Sequence, residues 1–111
     1  MTTQYRFGGF YASAYAHEVL SVGATAVPLT DSPTNLAPAS GSAPTQITIS
    51  VEGGDARMRY DGTAPTSTTG HLLEAGRTYV IEGLSNLYKT QFILDSGAPV
   101  GTASVRVTWE R

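Results

Sequence analysis

Between Thr45 and Glu52 the side chains alternate without a break. Thr45, Ile47, Ile49 and Val51 fall on one side, and Gln46, Thr48, Ser50 and Glu52 on the other. A period of two over eight residues is that of a strand with one buried face and does not fit a helix. Gly53-Gly54 follows and permits a primed two-residue turn. With that turn the next strand is expected to place Ala56 opposite Val51, Met58 opposite Ile49 and Tyr60 opposite Ile47, all facing the core. Arg57 and Arg59 then share the outer face. A three-residue turn would set Val51 against Arg57 and mix the two faces. The favoured register also brings Glu52 against Asp55, a like-charge pair that a wider loop would relieve.

The rest of the chain repeats this grammar. Residues 16–22 and 25–29 read as two short strands, with Pro28 marking an edge because it cannot donate to a ladder. Asp61-Gly62 ends the strand that precedes it, and residues 63–70 form a Thr-rich loop. His71 to Leu73 is a short strand or corner. Residues 77–83 are a strand with Tyr79 and Ile81 inward, and 85–89 a connection. Residues 90–95 turn Phe92 and Leu94 inward and Ile93 outward. Residues 102–110 turn Val105, Val107 and Trp109 inward, leaving Arg106, Thr108 and Glu110 outside. No helix of normal length is expected. About eight short strands separated by Gly, Pro and Ser turns define an all-β chain, an antiparallel β-sandwich of jelly-roll-like form. It is expected to comprise an aromatic N-terminal arm (1–14) and one β-sandwich domain (15–111), with a long extended loop at 30–44.

At 111 residues the chain is long enough for one core without staples, and it has no Cys to form disulfides or thiolate metal sites. Only 14% of residues are charged, against roughly 25% in an ordinary soluble domain. Thr, Ser, Gly, Ala and Pro fill the difference. Such a surface suits burial in an assembly, and equally an ordinary extracellular β domain. A net charge of −2 gives no reason to expect nucleic acid or an anionic membrane as partner. No apolar run is long enough for a membrane helix, and the first residues lack the pattern of a signal peptide, so synthesis and folding in a cytoplasm are expected.

Half of the aromatic residues, Tyr5, Phe7, Phe10, Tyr11 and Tyr15, lie in the first fifteen positions. Rings of that size favour burial. Two readings stand side by side: a first strand completing the domain's own sheet, and an extended arm docking on a neighbouring subunit. Arg57 and Arg59 are the other interface candidates, since guanidinium groups suit bidentate contact with a partner's carboxylates. The plainer alternative is pairing with Glu52 or Glu82 across strands. His17 and His71 stand in no metal-ligand spacing, and His71 is expected to hydrogen-bond backbone or hydroxyl groups. Asp55 and Asp61 read as turn residues. No nucleophile elbow and no phosphate-binding Gly pattern is present. No catalytic, metal or cofactor residues are expected, and the chain is not expected to be an enzyme.

Residues 57 to 73, with MRYDGTAPTSTTGHLL within them, then Gly76, Glu82-Gly83 and the closing ASVRVTWER, resemble small jelly-roll virion structural proteins of tailed bacteriophages, of the capsid decoration or cement type. The YAHEVLSVGATAVPLT segment fits the same pattern, so the resemblance covers about residues 15 to 111. It implies a non-enzymatic protein on the capsid surface, made in the host cytoplasm. Its implied partner is the major capsid protein, bound where capsomers meet, and the implied assembly is a homo-oligomer, a trimer foremost. A head–tail connector, tail or fibre component, or a carbohydrate-binding β-sandwich module, are the alternatives. Such virion proteins have no catalytic residues, so none carry over. The arm before residue 15 has no counterpart in the resemblance.

Overall fold

The computed structural model describes residues 13–29, 43–99 and 101–111. The alternating stretch forms a strand, and so do seven other segments. In chain order they are β1 (Ala14–Val22), β2 (Val27–Pro28), β3 (Gln46–Glu52), β4 (Ala56–Arg59), β5 (His71–Leu73), β6 (Thr78–Glu82), β7 (Gln91–Leu94) and β8 (Ala103–Glu110). A six-residue helix, α1 (Leu84–Lys89), lies between β6 and β7 where the sequence suggested a plain connection. Its Leu87 is buried in the core. Two four-stranded sheets result, in the orders β1-β8-β3-β6 and β2-β7-β4-β5. All pairings are antiparallel. Thus the described residues form an all-β, two-sheet structure.

The core is the space between the sheets. Ile47, Ile49 and Val51 of β3 and Val105, Val107 and Trp109 of β8 are fully buried, as their alternation requires. They meet Ala56, Met58, Leu73 and Phe92 from the second sheet in one cluster. Trp109 donates its indole N–H to a Glu18 carboxylate oxygen at 3.0 Å. Glu18 pairs in register with Val107, so this edge strand carries an acidic side chain on its inward face, a feature that discourages strand-to-strand aggregation. Pro28 lies on the edge strand β2, as its missing N–H demands.

The Gly53-Gly54 hairpin does not form. β3 pairs with β6 and β8, and β4 pairs with β5 and β7, so the two strands lie in opposite sheets. The alternation marks Ile47, Ile49 and Val51 for the core but is silent about which strand lies alongside. Gly53, at φ 84°, and the buried Gly54 turn the chain from one sheet to the other. The corner also separates the two acids that a hairpin would have opposed. Glu52 accepts from Arg106 Nε at 3.0 Å, and Asp55 accepts the Ala75 N–H at 2.8 Å.

Several side chains depart from their expected sides. Thr45 is exposed just before β3 begins, and Thr48 is buried although it shares the outer side with Gln46 and Ser50. Tyr60 is 41% exposed, because β4 ends at Arg59 and the ring projects beyond the paired strands. Ile93 is buried; it sits in β7, an interior strand, across from Arg57. Leu94 is only half buried. Glu110 has the outward register beside Gln46, yet it is 2% exposed. Thr48 Oγ1 and Gln46 Nε2 both donate to its Oε1, at 2.5 and 3.1 Å, so neutral donors satisfy this carboxylate where it lies.

Candidate interaction surface

The chain between β4 and β5 builds a concavity on the described surface. Asp61-Gly62 breaks the strand, with Gly62 at φ 90°. Thr66 and Thr69 then close a small turn through paired backbone bonds and a 2.6 Å contact between their hydroxyls. Gly70 re-enters the sheet at φ 116°, so close to β4 that a Cβ there would lie 2.9 Å from the Met58 carbonyl oxygen. Two ties hold the loop from outside. Arg57 donates from Nη1 to the Gly70 carbonyl at 3.1 Å and from Nε to Asp95 at 2.7 Å. The Ser96 N–H donates to the Ser67 carbonyl at 2.9 Å. The Asp95 side chain is only 11% exposed, and its bonds from Arg57 and the Gly97 N–H hold its carboxyl below the usual range.

Arg59, Tyr60, Asp61, Gly70 and His71 line a cavity of about 440 Å³. Tyr60 and His71 are diagonal neighbours on one face, and their rings stack with centroids 5.8 Å apart and planes 19° apart. The expected hydrogen-bonded role of His71 is therefore replaced by stacking. A second hollow of about 300 Å³ adjoins, sharing Tyr60 and His71 and continuing over Leu72, Leu73, Val80 and Ile81. The second hollow lies between β5 and β6, which are edge strands of opposite sheets, whereas the first is walled by the end of β4, the turn that follows it and the start of β5. Tyr60, Leu72 and Val80 are among the most exposed large apolar side chains described.

Arg59 grips Asp61 with two donors, Nε at 3.0 Å and Nη2 on the other oxygen. The Thr63 N–H adds a bond to the same carboxylate at 3.3 Å. Chiefly through the Arg59 bond, the Asp61 pKa falls to about 2, and that of Arg59 rises. Asp61 is therefore ionised at any physiological pH.

Of the interface candidates, Tyr5, Phe7, Phe10 and Tyr11 lie outside the described residues, as does most of the 30–44 loop. Tyr15 lies in β1, at the opposite edge of the first sheet from the cleft. The Arg111 guanidinium sits 4.4 Å over its ring, and burial pushes its hydroxyl pKa up. Arg57 and Arg59 pair with Asp95 and Asp61 rather than with Glu52 or Glu82, so they form no joint outward-facing clamp. Arg57 braces the loop; Arg59 alone reaches the cleft. Tyr60 and His71 were missed as surface residues. The available signal was that each sits at a strand end beside a Gly-containing turn, where alternation no longer enforces burial.

His17 and His71 lie on different sheets, and among the described residues no three His, Cys, Asp or Glu side chains come together. No described helix is long and apolar enough to cross a membrane. The chain matches no family model, no curated protein and no solved structure.

Proposed function

We propose that this chain is a non-enzymatic structural component of a phage virion, a capsid decoration protein of jelly-roll form. It binds the major capsid protein at capsomer junctions and reinforces the head. The observation that carries the reading is the strand pairing. β1 lies beside β8, β2 beside β7, β3 beside β6 and β4 beside β5. The chain is thus one long antiparallel hairpin with its tip at β4 and β5, and its paired legs alternate between two sheets. That wrapping is the one expected of a jelly roll, an architecture used by viral capsid proteins. The resemblance of residues 15 to 111 to cement proteins points the same way.

Composition supports an assembly role. A surface poor in charge and a concentration of aromatic residues before Tyr15 match the makeup of interface cores, where Lys and Glu are depleted. A protein of this kind acts by mass action: it binds the assembled shell better than loose subunits and so favours the shell. Bridging several capsid subunits, as a homo-oligomer such as a trimer, multiplies that effect without chemistry. A connector, tail or fibre component would use the same fold, and position in the particle separates the two readings.

The test is to locate this protein's density on intact particles of the virus that encodes it, by electron cryomicroscopy. Density at capsomer junctions is the expected result. Density confined to the tail or its attachment vertex selects the second reading, and absence from the particle overturns both.

A further inference from the structure

We propose that the cleft lined by Arg59, Tyr60, Asp61 and His71 is a binding site for a neutral saccharide, with a pyranose ring laid against Tyr60. The proposal is independent of where the protein sits in a particle.

The first argument is the chemistry of the walls. A pyranose has a flat apolar face edged by hydroxyls, each able to donate and accept. Tyr60 offers an aromatic surface that is 41% exposed and borders three adjoining hollows. His71 stacks on it and limits its rotation. Beside the ring, Arg59 engages Asp61 through Nε and Nη2, and among the described residues Nη1 has no acceptor, so it can donate to a ligand. Asp61 Oδ2 receives one bond, from Arg59, and retains acceptor capacity. Neighbouring hydroxyls on a sugar match such an adjacent donor and acceptor.

The second argument is charge. The cationic and anionic side chains lining the cavity neutralise one another. A phosphate or a polyanion would meet the ionised Asp61 beside the one guanidinium of the lining, that of Arg59, which Asp61 already engages. A neutral polyol meets no such repulsion. The third argument is rigidity. The Thr66–Thr69 turn, the Arg57 bond to the Gly70 carbonyl and the Ser96 bond to Ser67 fix the loop in advance. Little ordering is left for the ligand to impose. The volume, about 440 Å³, lies within the range of small-ligand sites.

The experiment uses the full chain on an array of immobilised neutral and acidic oligosaccharides. Titrations with the methyl glycosides of glucose, mannose and galactose follow, read by amide chemical shifts. Binding to at least one neutral saccharide is expected, with shifts concentrated at residues 59–63 and 70–71. Tyr60→Ala should weaken binding by about tenfold, and Asp61→Asn should weaken it measurably. Tyr88→Ala, which removes an exposed ring on α1 outside the cleft, should leave it unchanged. Shift mapping on the wild-type chain stands even if a variant fails to fold. Three results overturn the proposal: no saccharide bound at millimolar concentration, shifts mapping elsewhere, or binding restricted to acidic glycans and abolished by salt.

Discussion

Trp109 and Tyr60 each stand at the C-terminal end of an alternating strand, and each is in phase with the core. One is fully buried and the other is 41% exposed. The regions around them differ in how strands end. β8 runs between β1 and β3 and stays paired through Glu110, so Trp109 is roofed by neighbours on both sides. β4 stops at Arg59, and β5 first pairs at His71 opposite Met58, leaving nothing in β5 opposite Tyr60. Across the core on that side stands β6, the edge of its own sheet. Alternation thus sets the direction of a side chain, whereas the length of its neighbours decides whether that direction leads to burial.

The contrast is sharpest in stability. Trp109→Ala removes the largest fully buried side chain together with its indole bond to Glu18. It should cost about 3–5 kcal/mol in urea unfolding. Tyr60→Ala should cost less than about 1 kcal/mol, since the ring is partly solvated and leaves no core cavity. Equal losses would mean that the open side is as tightly packed as the closed one.

Two glycines separate space from backbone strain. Both Gly70 and Gly76 have positive φ, at 116° and 87°. An added Cβ at Gly76 meets nothing within 4 Å, but at Gly70 it meets the Met58 carbonyl oxygen at 2.9 Å. Gly76→Ala should cost about 1 kcal/mol through conformation alone. Gly70→Ala should cost more, about 2–3 kcal/mol, because β4 and the loop must also part. Amide shifts of Arg59 and Tyr60 should move in the Gly70 variant and stay put in the other. Similar costs for the two would show that the cleft floor yields easily.

Directions were legible in the sequence because they are local. Ile47, Ile49 and Val51, or Val105, Val107 and Trp109, announce their face by period alone. Partnership was not legible. Gly53-Gly54 suits a hairpin and a sheet-to-sheet corner equally, and the choice depends on β6 and β8, which begin 24 and 49 residues after Gly54. The same holds for the site. Arg57 finds Asp95 at a separation of 38 residues, and Glu110 finds Thr48 at 62. Arg59 and Asp61, two residues apart, form a contact that spacing would suggest, but the cleft they edge arises from strand lengths rather than from a motif.

The smallest expected effect concerns the two Arg–Asp pairs, one in the cleft and one bracing it. Arg59 holds the Asp61 pKa at about 2, against an ordinary 3.8, and Arg57 likewise lowers that of Asp95. A depressed carboxyl favours the ionised native state, so its contribution is complete above the unfolded value and is lost as pH falls through the folded one. For Asp61 that window runs from about 3.8 down to about 2. Carbon-detected titration of the aspartates should show Asp61 returning toward the ordinary value in Arg59→Gln, with Asp95 unmoved; Arg57→Gln should do the reverse. The pairs should part company in salt. The Asp61 side chain is 56% exposed and the Asp95 side chain 11%. Raising ionic strength to about 0.5 M should move the Asp61 titration upward more than that of Asp95, because solvent ions screen the exposed pair first. Equal screening would mean that the brace is as open to water as the cleft, and the division between a fixed loop and an accessible site would fail.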